Sequence, residues 1–431
     1  MPQYDVAIIG GGLSGLSSAY FLSKEGFSVI LLEKEKDLGG LCGSYDLGEY
    51  SIEKFYHHAI APCRTLLNIL DELKIKNLLE WKRASLGFYL NGKVHAANNL
   101  IDMALFPLSL PDKMKMASLI LKIKLTGDVS ALDGVRAKDW IIKHGGNGLY
   151  EKFFLPLLKG KYGDIFEEAS AAWFLERIRL RSTRSLGGEK LGYMKHGFKI
   201  LVDKLKDNIV KNGGQIHTDT LVKKIEINPD GFTTLIQNDN FKSKNVIFTA
   251  NTKDLLKFCN LPNDYSENLK KMNYQGTICA LFGLKEQLQS EYWLNFISEN
   301  LPFAALIEHT NFHNIREYGD THIVYIPIYI QNQNNALWNM KDEQIINMLI
   351  AGLTKAFPTF DKNDIRWWKI ERSKYTAPVY NLGYMSNLPK IETPLKGFYI
   401  GGLALSYPER TMNSALAVGK QCVKKIAERS D

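Results

Sequence analysis

The chain opens on YDVAIIGGGLSGLSSAYFLSKEGFSVILLE, and no other stretch constrains the fold as tightly. Tyr4 to Gly10 reads as a short buried strand, apolar and β-branched. Gly10-x-Gly12-x-x-Gly15 follows at once. Leu13, Leu16, Ala19, Tyr20 and Leu22 then recur at helical spacing until Gly26, and FSVILLE supplies a second strand ending on Glu33. This is the β-turn-α-β order of a dinucleotide site. Gly10 permits the tight turn, Gly12 the approach of a pyrophosphate, and Gly15 the close contact of helix and strand. The helix start at Leu13 and Ser14 offers free N–H groups and a positive dipole end to phosphates. Glu33, with Lys34 beside it, is placed to accept from ribose hydroxyls, and an acid there favours FAD or NAD over NADP. A glycine turn alone also occurs in plain structural αβ units. The ordered strand, helix, strand and acid carry the nucleotide reading.

At 431 residues the chain exceeds a single simple core, so two or three domains are expected. Its 45% hydrophobic and 23% charged residues are those of an ordinary globular protein, which excludes disorder as the default. No apolar run reaches about 18 residues, so no membrane-spanning helix is expected. The first apolar run has no basic segment before it and enters a glycine turn, unlike a secretion signal, and a cytoplasmic location is expected. Five scattered cysteines (Cys42, Cys63, Cys259, Cys279, Cys422) form no CxxC pair, which argues against disulfides and zinc. The adjacent His57 and His58 point apart on any regular element, and no metal is expected. The +8 net charge comes without an aromatic-interleaved basic stripe, so nucleic acid is not an expected partner.

Past Glu33 stand Gly39-Gly40 and then LCGSYDLGEYSIEKFYHH. Here the chain resembles the FAD-dependent oxidoreductases that include protoporphyrinogen oxidase, phytoene desaturase and the flavin amine oxidases. In that family a Gly-Gly pair passes close to the FAD pyrophosphate, followed by Arg; this chain has Leu41 at that position. The C-terminal LKGFYIGGLALSYPERTMNSALAVGKQCVKKIAE resembles the family's closing flavin segment, which implies that Gly402 and the backbone at Met412 face the flavin. The matching position for the family's adenine-binding valine is Val222. EKFYHH, SAAWFLERI, GEKLGYMKHGF and YPER are similar to a bacterial and archaeal protoporphyrinogen-oxidase-like subgroup.

The resemblance implies an α/β chain with a discontinuous Rossmann-like FAD-binding domain (1–80, 188–255 and 385–431). A substrate domain with a mixed β-sheet (81–110 and 256–384) and a helical cap (111–187) complete it. PDKMKMASLILKIKLTG, residues 111–127, places Lys113, Lys115, Lys122 and Lys124 around an apolar middle. Such a helix either buries its apolar face in its own protein or lies against an anionic membrane, here at its inner face. WFLERIRLRSTR puts Arg177, Arg181 and Arg184 on one helical face, either solvated or able to hold a carboxylate or diphosphate.

Flavin carries the redox chemistry in such enzymes, while the protein positions, desolvates and orients. Tyr56, His57 and His58 are the candidate catalytic residues, since a histidine titrates near neutrality. Tyr384, Tyr407, Arg177 and Arg181 are candidate pocket residues, and Arg410 could hold an anion or the flavin. The family's amine oxidases carry a Lys on a substrate-domain strand, whereas TICALFGLKE has Cys279 near that place and no Lys before Lys285. That argues against amine oxidation. No cysteine lies between Cys279 and Cys422, so the FAD is expected to be non-covalent. The expected reaction takes a hydride from a lipophilic substrate (porphyrinogen, isoprenoid or carotenoid, or polyprenyl) to flavin N5, with the electron acceptor left open. The alternative is a non-redox mutase of sugar nucleotides resembling UDP-galactopyranose mutase.

Overall fold

The structure, a computed structural model, describes residues 2–181, 189–297, 300–408 and 410–430. Five parallel strands form the heart of the first sheet: Gln215–His217, Val29–Leu32, Gln3–Ile9, Asn240–Phe248 and Phe398–Ile400. Val29–Leu32 and Phe398–Ile400 are buried at every position, and Gln3–Ile9 from Val6 on, as expected of strands covered on both faces. Antiparallel Gly231–Leu235 and Lys224–Asn228 extend one edge.

The two chain ends meet on this sheet. Helix Leu13–Lys24 packs on helix Met412–Ser430 through small residues. Ser17 Oγ donates to Leu416 O at 2.8 Å and Ser18 Oγ to Gly419 O at 3.2 Å. A Cβ at Gly419 would stand 2.4 Å from Ser14 O, so only glycine lets the helices approach this closely.

A second seven-stranded sheet runs in the order Ile365–Pro378, Tyr274–Leu284, His322–Ile330, Ala305–Glu308, Trp293–Phe296, Leu86–Leu90, Lys93–Ala96. It is antiparallel except where Trp293–Phe296 runs parallel to Leu86–Leu90. All eleven residues of Tyr274–Leu284 are buried because the sheet is covered on both sides. Ile278, Ala280 and Phe282 pack with Ile345, Leu349 and Leu353 of helix Asp342–Ala356. Cys279 and Leu281 pack into the core shared with the first sheet. Alternate side chains of one strand thus serve two cores.

Helices Leu100–Leu105, Leu110–Leu125, Ala137–Gly145, Leu155–Tyr162 and Ala171–Arg181 form the cap. Asn99 starts the first by accepting from the N–H groups of Ile101 and Asp102, and Ser109 starts the second by accepting from Asp112 N. Leu79–Ala84 and Ala59–Ile60 both pair with Glu189–Met194, forming a small sheet, and the strands of the second large sheet start at Leu86. Among the described residues no helix is long and apolar enough to cross a membrane.

Candidate functional site: a nucleotide cradle opening into an apolar cavity

The three glycines of the first turn have different reasons to be glycine. Gly10 adopts φ +108° and donates to Leu32 O at 2.8 Å. At Gly15 a Cβ would stand 1.9 Å from Gly10 O, so helix and strand touch there. At Gly12 a Cβ would meet nothing within 4 Å, although its φ of −71° is open to any residue. The space in front of Gly12 is therefore clear, and it faces the start of helix Leu13–Lys24, which has no side-chain cap. Uncapped N–H groups facing open space fit a pyrophosphate.

The second glycine pair lies over the first. Gly39 bridges Gly12 and donates to Gly11 O at 2.9 Å, and a Cβ on Gly40 would come within 3.1 Å of Gly12 Cα. Glu33 is buried, its two carboxylate oxygens accepting from Gly11 N (2.5 Å) and Glu35 N (2.9 Å). Each oxygen retains a further lone pair, as a ribose diol requires. The backbone leading to buried Val222 runs alongside, with Thr220 N donating to Glu33 O at 2.8 Å. Lys34 is on the surface, 3.3 Å from the Glu35 carboxylate.

From this cradle a cavity of about 750 Å³ runs to the helical cap. Leu13, Ser14, Gly39, Leu41, Gly402 and Met412 line its first end. Tyr56, His57 and His58 also line it, with Thr277, Trp293 and Tyr329 of the second sheet. Tyr56 and Tyr329 share a hydroxyl contact of 2.5 Å, and the Tyr56 ring stands edge-on to Trp293 at 5.1 Å. Lys161 from the cap sits over the Tyr329 ring, 4.7 Å from its centre. Arg410 donates to Thr376 O at 2.5 Å beside the Thr277–Thr376 hydroxyl pair.

His57 Nδ1 lies 2.7 Å from Phe55 O. A carbonyl only accepts, so Nδ1 carries the proton and Nε2 is the bare nitrogen. Burial, and then the nearby Arg410 charge, pulls the His57 pKa down to about 4 against the lift from Phe55 O. The ring is neutral at neutral pH and suits a hydrogen-bond acceptor better than a strong base. His58 Nδ1 meets Tyr292 OH at 3.0 Å.

Of the remaining candidates, Arg177 lines the cavity from helix Ala171–Arg181. The Arg181 side chain and Arg184 lie outside the described residues. Tyr384 and Tyr407 do not line the cavity. They stack on each other at 5.7 Å, with Tyr384 OH donating to Ala404 O. Sequence reasoning did not single out Lys161, Tyr329 or Thr277. The last two carried a signal, since alternation along HIVYIPIYI and GTICALFGL puts Tyr325 with Tyr329 and Thr277 with Cys279 on the same sheet face. Cys422, buried with Sγ 3.6 Å from Ile400 O, does not reach the cavity.

The sequence profile of the family "Flavin containing amine oxidoreductase" matches residues 13–427. The chain is 25% identical over 465 residues to the 15-cis-phytoene desaturase of Solanum lycopersicum, covering 98% of this chain and 78% of that one. It is 24% identical over 469 residues to the Arabidopsis thaliana enzyme of the same name, covering 98% and 80%. In fold it is similar to an oxidoreductase from Methanosarcina mazei (TM-score 0.75, 20% identity, 97% and 99% covered). It is likewise similar to cyclohexylamine oxidase from Brevibacterium oxydans IH-35A (TM-score 0.72, 15% identity, 100% of both chains). These matches do not favour the mutase alternative. With a nucleotide cradle at one end of the cavity and the family profile spanning nearly the whole length, the chain belongs to the flavin-containing amine oxidoreductase family and is a flavin-dependent oxidoreductase.

Proposed function

We propose that this protein binds FAD without a covalent link and oxidises a lipophilic substrate of porphyrinogen, isoprenoid or polyprenyl type. One observation carries the reading: the nucleotide cradle opens directly into a cavity walled by Met116, Leu119, Ile123, Phe153, Phe154 and Trp173. Gly12, Gly40, Glu33 and Val222 would hold the adenine dinucleotide, and Gly402 and Met412 the ring end. FAD, when bound, supplies the two-electron acceptor at N5. The chain's own residues orient the substrate, exclude water and offer acceptors at Tyr56, Tyr329 and His57 Nε2. Non-covalent binding is supported by Cys422 facing the core.

Peripheral membrane contact is part of the same proposal. Helix Leu110–Leu125 is apolar on two faces: Met116, Leu119 and Ile123 point inward, while Leu110, Met114, Leu121 and Leu125 point out. With Ile101 and Leu105 the outward set is 57–77% exposed, and Lys113, Lys115, Lys122 and Lys124 lie among them. An apolar face ringed by lysines fits an anionic bilayer, from which a lipophile would enter the cavity. The purified protein is expected to be yellow, to release FAD on denaturation, and to lose absorbance near ~450 nm with substrate under anaerobic conditions. Colourless protein that FAD cannot reconstitute would sink the proposal.

A further inference from the structure

Arg410 lies on the cavity wall between the turn at Gly402 and the helix that starts at Met412, the two places proposed to hold the ring end of the flavin. Its side chain is half-buried and donates to Thr376 O at 2.5 Å. That bond uses one of the five N–H donors of a guanidinium. Among the described residues no acid pairs with Arg410, and no aspartate or glutamate lines the cavity. Its charge is felt on three separate segments. Burial and then Arg410 hold the His57 pKa low, and burial lifts the Tyr329 and Tyr380 hydroxyls while Arg410 pulls each partly back. The chain also sets this cation directly before a helix start. Thr411 begins the last helix: its Oγ1 accepts from Ser414 N at 3.2 Å, and its own N–H donates to Ser414 Oγ at 3.0 Å. A positive side chain beside the positive end of a helix is unfavourable by itself. A negative charge in the cavity beside them would make the same placement favourable.

We infer that Arg410 tunes the bound flavin: its guanidinium stabilises the negative charge that the ring gains on reduction and so raises the two-electron potential. Reduction by a hydride adds two electrons and one proton to the ring, which gains one negative charge, while the substrate gives up the hydride. Arg410 takes no part in the proton balance, since an arginine stays protonated throughout. It supplies charge alone, from a place fixed by Thr376 O. The apolar wall around it screens that charge far less than water would. His57, neutral at neutral pH, neither adds to the charge nor opposes it. The inference rests on the proposed flavin site and concerns the cofactor, not the substrate.

The test needs no substrate. Flavin-loaded wild type, Arg410→Gln and Arg410→Lys are compared by two readouts: the midpoint potential of the flavin and its affinity for sulfite. Sulfite forms an S–N5 bond with its lone pair and leaves the ring negative, so it reports the same charge. Glutamine can still donate to Thr376 O but carries no charge, whereas lysine keeps the charge. Arg410→Gln is expected to weaken sulfite binding at least ~10-fold and to lower the potential by about 30 mV, the two-electron equivalent of tenfold. Arg410→Lys should stay near wild type in both. All three should retain FAD equally, because the oxidised ring is uncharged. A glutamine variant with unchanged potential and sulfite affinity overturns the inference. So does a lysine variant as impaired as the glutamine one, which would make Arg410 a geometric support, or a glutamine variant that cannot hold flavin. Wild type that takes up no FAD refutes the proposed flavin site and this inference with it. A flavin tuned as expected that no lipid reduces would instead leave the role of Arg410 standing and refute the proposed oxidation.

Discussion

The side-chain oxygen of Ser14 accepts a hydrogen bond from the backbone N–H of Gly402 at 3.1 Å, tying the first helix to the turn that precedes the last. Both residues line the cavity, so this bond joins two walls of the proposed flavin site. Ser14→Ala leaves a buried N–H without its partner, which costs about 1–3 kcal/mol. The expected result is a lower melting temperature and weaker FAD retention on dialysis. Unchanged values for both would mean that the two walls are held by packing alone.

Gly12 and Gly15 should respond in opposite ways to alanine. The Gly12→Ala methyl enters open space, so the apoprotein should keep its melting temperature while flavin content falls steeply. The Gly15→Ala methyl would meet Gly10 O at 1.9 Å and should destabilise the fold itself. Thermal unfolding of apoprotein, with flavin-to-protein ratios, separates the two. Full flavin occupancy in Gly12→Ala would contradict the pyrophosphate placement.

Tyr56 and Tyr329 meet at 2.5 Å in the cavity wall. Removing either hydroxyl leaves the other half-buried with one partner fewer, and removing both takes away the pair. The Tyr56→Phe and Tyr329→Phe effects on stability should therefore be non-additive by about 1 kcal/mol or more. Denaturant unfolding of wild type, singles and double checks this; simple additivity would count against a shared proton.

His57 has a folded pKa near 4, below its ordinary value of 6.5. Between those values the unfolded chain binds more protons, so the contribution to stability is full above pH ~6.5 and is lost as pH falls through ~4. The shift corresponds to roughly 3 kcal/mol. His57→Gln should flatten the acid side of the stability curve. The rate of anaerobic flavin reduction should show no His57-dependent break between about pH 5 and 8. A break near 6.5 that disappears in His57→Gln would show an ordinarily titrating ring.

Leu105 and Leu125 are among the most exposed large apolar side chains. A Leu105→Asp/Leu125→Asp double variant should change stability little, by about ±0.5 kcal/mol for each surface site. Its sedimentation with phosphatidylglycerol vesicles should fall at least ~10-fold below wild type. Equal sedimentation of the two would remove the membrane proposal.

Much of the first sheet was legible in the chain. Gly10, Gly12, Gly15 and Glu33 act through neighbours a few residues away, and a strand, turn and helix in sequence leave little freedom in how they close. Gly39-Gly40 and the C-terminal segment were legible through their resemblance to a family, and both end at the cavity. Apolar spacing revealed helix Leu110–Leu125 but left open whether it served the core or an outside surface. The structure gives it an inward cavity face and an outward exposed one. Spacing records which side of an element is apolar, not what stands opposite.

Lys161 over Tyr329, Arg410 against Thr376 and the hydroxyl pair of Tyr56 and Tyr329 join residues on separate elements, and no local pattern announces them. The same holds for Tyr384 and Tyr407, whose place behind the cavity wall follows from how the turn after Gly402 packs. The sequence by itself determined a nucleotide-binding β-turn-α-β unit, because its reasons are short-range sterics and dipoles. Only the tertiary structure decided the shape and charge of the cavity beyond it, because that wall exists only where sheet, cap and chain ends meet.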